Sequence, residues 1–206
     1  VNTKLMFQKA YEGGYAIPAF NFVSIEQFNG IMDAVIEKRS PVILLASPNL
    51  HKQLGYEMLA RIVQSGTDRI RNAGLDIPVA LDHGMTFAQC VDAVEFGFSS
   101  IMIDGSALPF KENAALTKKT VEYAHRHGVT VEAELGVLSG AEEDGDEGHH
   151  ESLYTDPAMV EEFVGETGCD SLAISIGTCH GLVKIKANPD GSLPELRYDI
   201  LEDVMR

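Results

Sequence analysis

Short runs of apolar residues alternate along the chain with longer stretches that have the 3.6-residue period of an amphipathic helix. Six of these runs are continuous enough to be strands, at residues 16–20, 42–46, 77–81, 100–103, 129–135 and 171–176. Strands that are apolar at nearly every position are typical of a parallel sheet that is buried on both faces. The alternation therefore predicts repeated β/α units around a parallel sheet.

The stretches between the runs predict helices at residues 24–38, 56–73, 88–96, 113–127 and 157–166. In the first of them, Phe28, Met32 and Val35 share one face, and Ser24 is a suitable N-cap. Glycine follows four of the helices, where a left-handed C-terminal cap is expected, at Gly74, Gly97, Gly128 and Gly168. These start and stop signals support the division into β/α units.

Six parallel strands suit either an open doubly wound sheet or most of an eight-stranded barrel. An open dinucleotide-binding sheet would place the glycines of G-x-G-x-x-G after its first strand, but the chain reads AIPAFNFVSIEQ there. We therefore predict an α/β fold of the (β/α)8 TIM-barrel type. Because a full barrel takes about 250 residues, we expect residues 1–206 to form a single domain that contains the first six βα units and lacks strands seven and eight.

Charge and composition exclude several classes of partner. Lys and Arg total 16 against 31 Asp and Glu, which gives a net charge of −15 and argues against nucleic acid and anionic membranes. The apolar runs are far shorter than the roughly 18 residues that a membrane-spanning helix needs. Cys90, Cys169 and Cys179 have no paired spacing, so we expect reduced thiols and a cytoplasmic protein.

Polar side chains follow nearly every predicted strand, at the end where barrel enzymes carry their active sites. These residues are Asn21, Ser47, Asp82, His83, Asp104, Glu134 and His180. A single Asp or Ser at such a position is commonly the N-cap of the next helix. Two histidines together with several carboxylates, however, are the ligand types of a catalytic zinc site.

These strand-end motifs resemble those of the class II, zinc-dependent ketose-bisphosphate aldolases, a family that comprises fructose-bisphosphate and tagatose-bisphosphate aldolases. The matching segments are AIPAFNF (16–22), RSPVILLAS (39–47), LDHG (81–84), FSSIMIDGS (98–106), VEAELG (131–136), EED (142–144), LYTDP (153–157) and AISIGTCHG (173–181). The resemblance implies a lyase of glycolysis and carbohydrate metabolism. Such an enzyme cleaves a ketose 1,6-bisphosphate, foremost fructose 1,6-bisphosphate, into dihydroxyacetone phosphate and glyceraldehyde 3-phosphate.

The resemblance also implies roles for individual residues. His83 and His180 correspond to two of the three zinc ligands, and Asp82 corresponds to the acid/base at the C4 hydroxyl. Glu134 and Asp104 correspond to carboxylates of an alternate or second metal position, which could take a second divalent or a monovalent cation. Further matches are Glu143, for the proton at C3, and four residues around the dihydroxyacetone-phosphate half of the substrate, Asn21, Ser47, Gly181 and Lys184.

The chain departs from the family pattern in three places. The third zinc histidine and the phosphate-binding N-x-D-T loop of the family belong to strands seven and eight, and the sequence reaches Arg206 before both. Ala80 stands where the family usually has a histidine. The loop SGAEEDGDEGHHE is longer and more acidic than the family's GG-x-ED loop. The site formed by residues 1–206 alone is therefore expected to be incomplete.

Four other functions remain open at this stage. A tagatose-bisphosphate aldolase would differ only in the configuration of one substrate carbon. A Schiff-base aldolase would use Lys184 or Lys186 as its electron sink. A metal-dependent barrel hydrolase would use Asp82 as the base for a water molecule, and a non-catalytic phosphosugar-binding barrel would have a degenerate site.

The resemblance also implies a homo-oligomer, a dimer or larger.

Overall fold

A computed structural model describes residues 2–137, 154–179 and 187–206, in which strands and helices alternate. The strands are β1 (Ala19–Asn21), β2 (Ile43–Ala46), β3 (Val79–Gly84), β4 (Ser100–Ile103), β5 (Thr130–Leu135) and β6 (Ser171–Ile174). The helices are α1 (Thr3–Gly13), α2 (Ile25–Lys38), α3 (Pro48–Leu54), α4 (Tyr56–Asn72), α5 (Phe87–Glu95), α6 (Phe110–Arg126), α7 (Pro157–Thr167) and α8 (Tyr198–Val204).

The strands form one six-stranded sheet whose spatial order, β1-β2-β3-β4-β5-β6, is also their order along the chain. Strands β1 to β4 pair in parallel, with Ala19 opposite Ile43 and Leu44 opposite Val79. Sequential parallel strands with a helical connection after each strand are the arrangement of a (β/α) barrel. The prediction of a TIM-barrel fold with its first six β/α units is confirmed, and the prediction that residues 1–206 form a single domain stays a prediction.

Burial differs between the inner and the outer strands of this sheet. All four residues of β4 are buried, and β2, β3 and β5 are buried at nearly every position. The three residues of β1 are exposed, and the four of β6 are half-buried. Within the described sheet, β1 and β6 have a neighbouring strand on one side only, so the expectation of strands buried on both faces is met by the inner strands.

The described chain divides into two compact units, Val1–Ile103 with Lys119–Glu132, and Asp104–Lys118 with Ala133–Arg206. The first unit has a core of aliphatic residues from its strands and helices, of which Met32, Leu44, Ile70, Leu81 and Ile101 are among the fully buried. The second unit buries a smaller cluster made of Ala114, Ala133, Leu135 and Phe163. No helix in the part of the chain that the structure describes is long and apolar enough to cross a membrane.

The predicted capping residues take the expected conformations. The Ser24 side chain accepts a hydrogen bond from the backbone N–H of Gln27 at 3.2 Å, as an N-cap does. Gly168 caps α7 with a φ of 69°. Gly74, Gly97 and Gly128 also have positive φ. The predicted boundaries of α2, α4, α5 and α7 therefore agree with the structure to within one residue.

Four helical segments differ from the sequence-based prediction. Helices α1, α3 and α8 were not predicted, because α1 buries only Thr3 and Ala10 and the other two have seven residues each. A short or mostly exposed helix has no apolar stripe that could reveal it. Helix α6 begins at Phe110 rather than at residue 113, since the carbonyl of Pro109 already accepts hydrogen bonds from the N–H groups of Glu112 and Asn113.

Candidate active site

The last residues of β3 carry an adjacent acid and histidine, Asp82 and His83. Asp82 Oδ1 lies 3.8 Å from His83 Nε2, and the two side chains are 19% and 11% exposed, respectively. Asp82 also lines a cavity of about 70 Å³ in the first unit, together with Ser100 and Glu132. The Asp82 carboxylate is therefore mostly buried but still partly accessible.

The backbone at this strand end is irregular, and the irregularity brings the two side chains together. Neighbouring residues of a regular strand point to opposite faces. His83, however, has a φ of 47°, in the left-handed region that is uncommon outside glycine. The pairing between β3 and β4 also shifts register between Leu81 and Gly84. Such breaks in a ladder re-aim side chains and are frequent beside active sites.

Gly84 lets this turn pack closely against its surroundings. A Cβ atom added to Gly84 would lie 2.8 Å from Leu81 Cδ2, 2.9 Å from the carbonyl oxygen of Met102 and 3.0 Å from Cys90 Sγ. The Met102 oxygen belongs to the backbone of β4 and has little freedom to withdraw. The close approach explains why the residue after His83 lacks a side chain.

Asn21, at the end of β1, is joined directly to Asp82. Its Nδ2 atom donates a hydrogen bond to Asp82 Oδ2 at 2.5 Å. Strands β1 and β3 are alternate strands of the sheet, and in barrels the inward side chains of alternate strands share a layer. The structure thus brings together Asn21, Asp82 and His83, three residues that the sequence placed at strand ends.

Ser47, the predicted substrate-binding residue after β2, caps the next helix. Its hydroxyl oxygen accepts a hydrogen bond from the backbone N–H of Leu50 at 3.3 Å, and α3 begins directly after it. This is the structural role that a strand-end serine commonly has. In the described structure the capping bond accounts for the position of this side chain.

In the second unit, Asp104 follows β4 and Glu134 lies within β5. Asp104 Oδ1 accepts a hydrogen bond from the backbone N–H of Ser106 at 2.9 Å, which fixes the carboxylate over its own turn. Glu134 is 3% exposed. Its backbone carbonyl accepts a hydrogen bond from Asn113 Nδ2 at 2.9 Å. The Asp104 carboxylate is thus bonded to its own turn, and the Glu134 residue is held through its backbone carbonyl.

The sequence analysis did not single out Asn113. It took this residue as the first of a helix, whereas in the structure Asn113 lies inside the first turn of α6 and is 1% exposed. An asparagine shortly after the DGS segment is a signal that could have been noticed. Its partner is 21 residues away, however, and only the folded structure identifies it.

Candidate metal ligands in the described residues are His83 in the first unit and Asp104 and Glu134 in the second. An imidazole nitrogen with carboxylate oxygens is a donor set suited to a divalent transition metal such as zinc. All three belong to the ends of consecutive strands, β3, β4 and β5. The chemistry of these residues therefore fits a metal ion. The other predicted site residues, Glu143, His180, Gly181 and Lys184, lie outside the described residues.

Cys90 lies behind this strand end but is not a reactive group. Its side chain is fully buried, and burial raises the pKa of the thiol to about 12. A thiol with so high a pKa stays protonated at neutral pH, and only the thiolate is an effective nucleophile or metal ligand. Cys90 therefore fills space under Gly84.

Comparisons with known proteins show the family to which the chain is related. The sequence model of the family described as fructose-bisphosphate aldolase class-II matches residues 1–206. The fructose-bisphosphate aldolase of Treponema pallidum (strain Nichols) is 49% identical over 215 residues, which cover 99% of this chain and 64% of that protein. The fructose-bisphosphate aldolase of Helicobacter pylori (strain 26695) is 41% identical over 200 residues, which cover 96% of this chain and 62% of that protein.

Two crystal structures share the fold over nearly the whole chain. The YdjI aldolase from Escherichia coli K12 aligns with a TM-score of 0.79 and 29% identity, covering 100% of this chain and 68% of that one. A putative fructose-1,6-biphosphate aldolase from Coccidioides immitis aligns with a TM-score of 0.79 and 30% identity, covering 97% and 67%. The chain spans less than two thirds of the length of the curated relatives named above.

Proposed function

The chain belongs to the class II fructose-bisphosphate aldolase family, and we propose that the protein carrying it is a metal-dependent aldolase. Its reaction is the reversible cleavage of fructose 1,6-bisphosphate into dihydroxyacetone phosphate and glyceraldehyde 3-phosphate. The two curated relatives bear the name of this activity. The observation that carries the proposal is the group formed by Asn21 at the end of β1 and by Asp82 and His83 at the end of β3.

Aldol cleavage begins with removal of a proton from the hydroxyl group next to the bond that breaks. We assign this step to Asp82, because its carboxylate is partly exposed and borders a cavity. The amide of Asn21 donates to Oδ2, so this oxygen is held in place while the carboxylate takes up the proton. In the reverse direction the same carboxyl group returns the proton.

The cleavage also leaves negative charge on the former ketone oxygen. His83 and His180 are the residues that would hold a zinc ion. Asp104 and Glu134 would offer it an alternate position or would hold a second divalent or monovalent cation. When bound, zinc acts as a Lewis acid that polarises the substrate carbonyl. The donor set of the described residues supports this assignment.

Three further roles complete the proposed site. Glu143 exchanges the proton at C3. Asn21, Ser47, Gly181 and Lys184 contact the dihydroxyacetone-phosphate half of the substrate. For Ser47 the capping bond to Leu50 N–H leaves the hydroxyl hydrogen available for donation to a ligand.

The cell compartment and the assembly state are part of the same proposal. All three cysteines are thiols rather than disulfides, which suits the reducing cytoplasm where glycolysis takes place. A homodimer or larger homo-oligomer follows from the family resemblance. The acidic composition is compatible with a sugar-phosphate substrate, because hydrogen-bond donors within the site would hold the phosphate groups. It is also compatible with a homo-oligomer.

The direct test is cleavage of fructose 1,6-bisphosphate by the full-length protein before and after chelation, followed by addition of zinc. We expect activity to disappear with chelation, to return with zinc and to be unaffected by borohydride. Chelator-resistant activity that borohydride traps would instead assign the chemistry to a lysine, such as Lys184 or Lys186. Cleavage of tagatose 1,6-bisphosphate alone would change the substrate, and cleavage of neither sugar would favour a phosphosugar-binding protein.

The role of Glu143 has its own test. We expect Glu143→Gln to leave cleavage partly intact. It should slow the exchange with solvent deuterium of the proton on the hydroxymethyl carbon of dihydroxyacetone phosphate, the carbon that becomes C3 of fructose 1,6-bisphosphate. Glu142→Gln is the matched control, since it removes the same charge one residue earlier. A slower exchange in the Glu142 variant alone would transfer the role to that residue.

A further inference from the structure

We propose that Asn113 is a positioning residue that sets the placement of two carboxylates proposed to bind a cation, Asp104 and Glu134 of the second unit. The inference rests on the proposed function, in which these carboxylates hold a divalent cation. It adds a residue that lies on helix α6 rather than at a strand end, and that has no cation-binding atom of its own in the site. Its three contacts carry the argument.

The first contact fixes β5. Asn113 Nδ2 donates to the backbone carbonyl oxygen of Glu134 at 2.9 Å, and the side chain of Asn113 is 1% exposed. A buried carbonyl needs a donor, and loss of that donor has a substantial free-energy cost. The bond therefore holds the peptide unit from which the Glu134 side chain projects.

The second contact fixes the orientation of the amide. Thr117 is fully buried one turn later in α6, and its hydroxyl donates to Asn113 Oδ1 at 3.2 Å. Because Oδ1 accepts from Thr117, the NH₂ group of Asn113 faces the Glu134 carbonyl. The amide is thus fixed by one partner on its own helix and one partner on β5.

The third contact reaches the turn that carries Asp104. A Cβ atom added to Gly105 would clash with Asn113 Oδ1 and would lie 2.9 Å from Cγ and 3.2 Å from Cα. The Asn113 side chain therefore packs directly against the backbone of the residue after Asp104. One buried amide thus hydrogen-bonds to the backbone of one carboxylate residue and packs against the turn of the other.

The test measures cation binding to the full-length protein with zinc and cobalt as probes, independently of activity. We expect Asn113→Ala to weaken zinc binding by about tenfold or more, the range known for residues that orient metal ligands. The absorption spectrum of the bound cobalt should shift, and turnover should recover at saturating zinc. Val160→Ala is the control for lost stability, since Val160 packs on the core cluster of the same unit.

Gly105→Ala provides a second variant that leaves Asn113 in the sequence. Its new methyl group would displace the Asn113 side chain, so we expect a similar loss of zinc affinity. In the Asn113→Ala background the same substitution should have a much smaller effect, because the obstructing amide is gone. Additive effects of the two substitutions would overturn the proposed coupling.

The outcomes separate this inference from the proposed function. Zinc binding by the unmodified protein, with unchanged affinity and cobalt spectrum in Asn113→Ala, would overturn the positioning role alone. Equal losses in Asn113→Ala and Val160→Ala would also overturn it, because they would reflect general destabilisation. If the unmodified protein binds no zinc and its cleavage activity survives chelation, both the positioning role and the proposed function would be overturned.

Discussion

The ends of β3 and β5 both present acidic side chains, but the structure holds them in different ways. At the end of β3 the backbone is irregular, with a positive φ at His83 and a closely packed Gly84, and a side-chain hydrogen bond joins Asp82 to Asn21. At the end of β5 the strand is regular, and Glu134 is fixed through its backbone carbonyl by a buried amide.

The difference in burial suits the two chemical tasks proposed for Asp82 and Glu134. A carboxylate that exchanges protons with a substrate must be accessible, and the Asp82 side chain is 19% exposed beside a cavity. A carboxylate that binds a cation must keep a fixed position, and Glu134 is 3% exposed. This difference supports the proposed roles of Asp82 in proton transfer and of Glu134 in cation binding.

The largest effect is expected for His83→Ala. Removing the imidazole should abolish zinc binding and cleavage together, because His83 is the one imidazole among the candidate metal ligands of the described residues. Zinc content after gel filtration, measured beside the cleavage rate, checks this. Lost activity with full zinc content would contradict the assigned role of His83.

Asp82→Ala should separate the two tasks at the β3 end. We expect the protein to keep its zinc while kcat falls by about 10²- to 10⁴-fold, the usual contribution of a general acid or base. The measurement is the steady-state cleavage rate at saturating substrate. Turnover close to that of the unmodified protein would rule Asp82 out as the base.

Gly84→Ala tests whether close packing maintains the irregular end of β3. The new methyl group would meet a backbone oxygen and two buried side chains, so we expect a loss of about 1–3 kcal/mol in the free energy of unfolding. Gly30→Ala is the matched control, because nothing lies within 4 Å of its added Cβ in α2. This control should gain about 0.5–1 kcal/mol. Urea unfolding measures the free energy of unfolding of both variants. Equal values for Gly84→Ala and Gly30→Ala would contradict the role of close packing at Gly84.

The smallest effect concerns Cys90. Burial raises its pKa to about 12, so at pH 8 it should be alkylated last of the three cysteines, as peptide mapping would show. Because the folded pKa lies above that of an unfolded thiol, about 8.5, its contribution to stability is complete below that pH and is lost as the pH rises toward 12. Early alkylation of Cys90 would mean that the β3 end opens readily.

The sequence predicted most of the fold and the positions of the strand-end residues. The strand-end positions could be predicted because apolar strands and capped helices have clear local patterns. They are those of Asp82, His83, Asp104 and Glu134. The positive φ of His83 and the joining of Asn21 to Asp82 were not predicted, since they depend on strand register and on residues 61 positions apart. Asn113 was missed for the same physical reason, because its partner Glu134 belongs to another element, β5.

The most direct test of this account is a zinc titration of the cleavage rate in Asp82→Ala and Asn113→Ala, with the unmodified full-length protein alongside. We predict that Asp82→Ala binds zinc normally and remains slow at every zinc concentration. Asn113→Ala should need about tenfold more zinc but should approach the unmodified rate at saturation. The same response to zinc in both variants would contradict the division of tasks between the β3 and β5 ends.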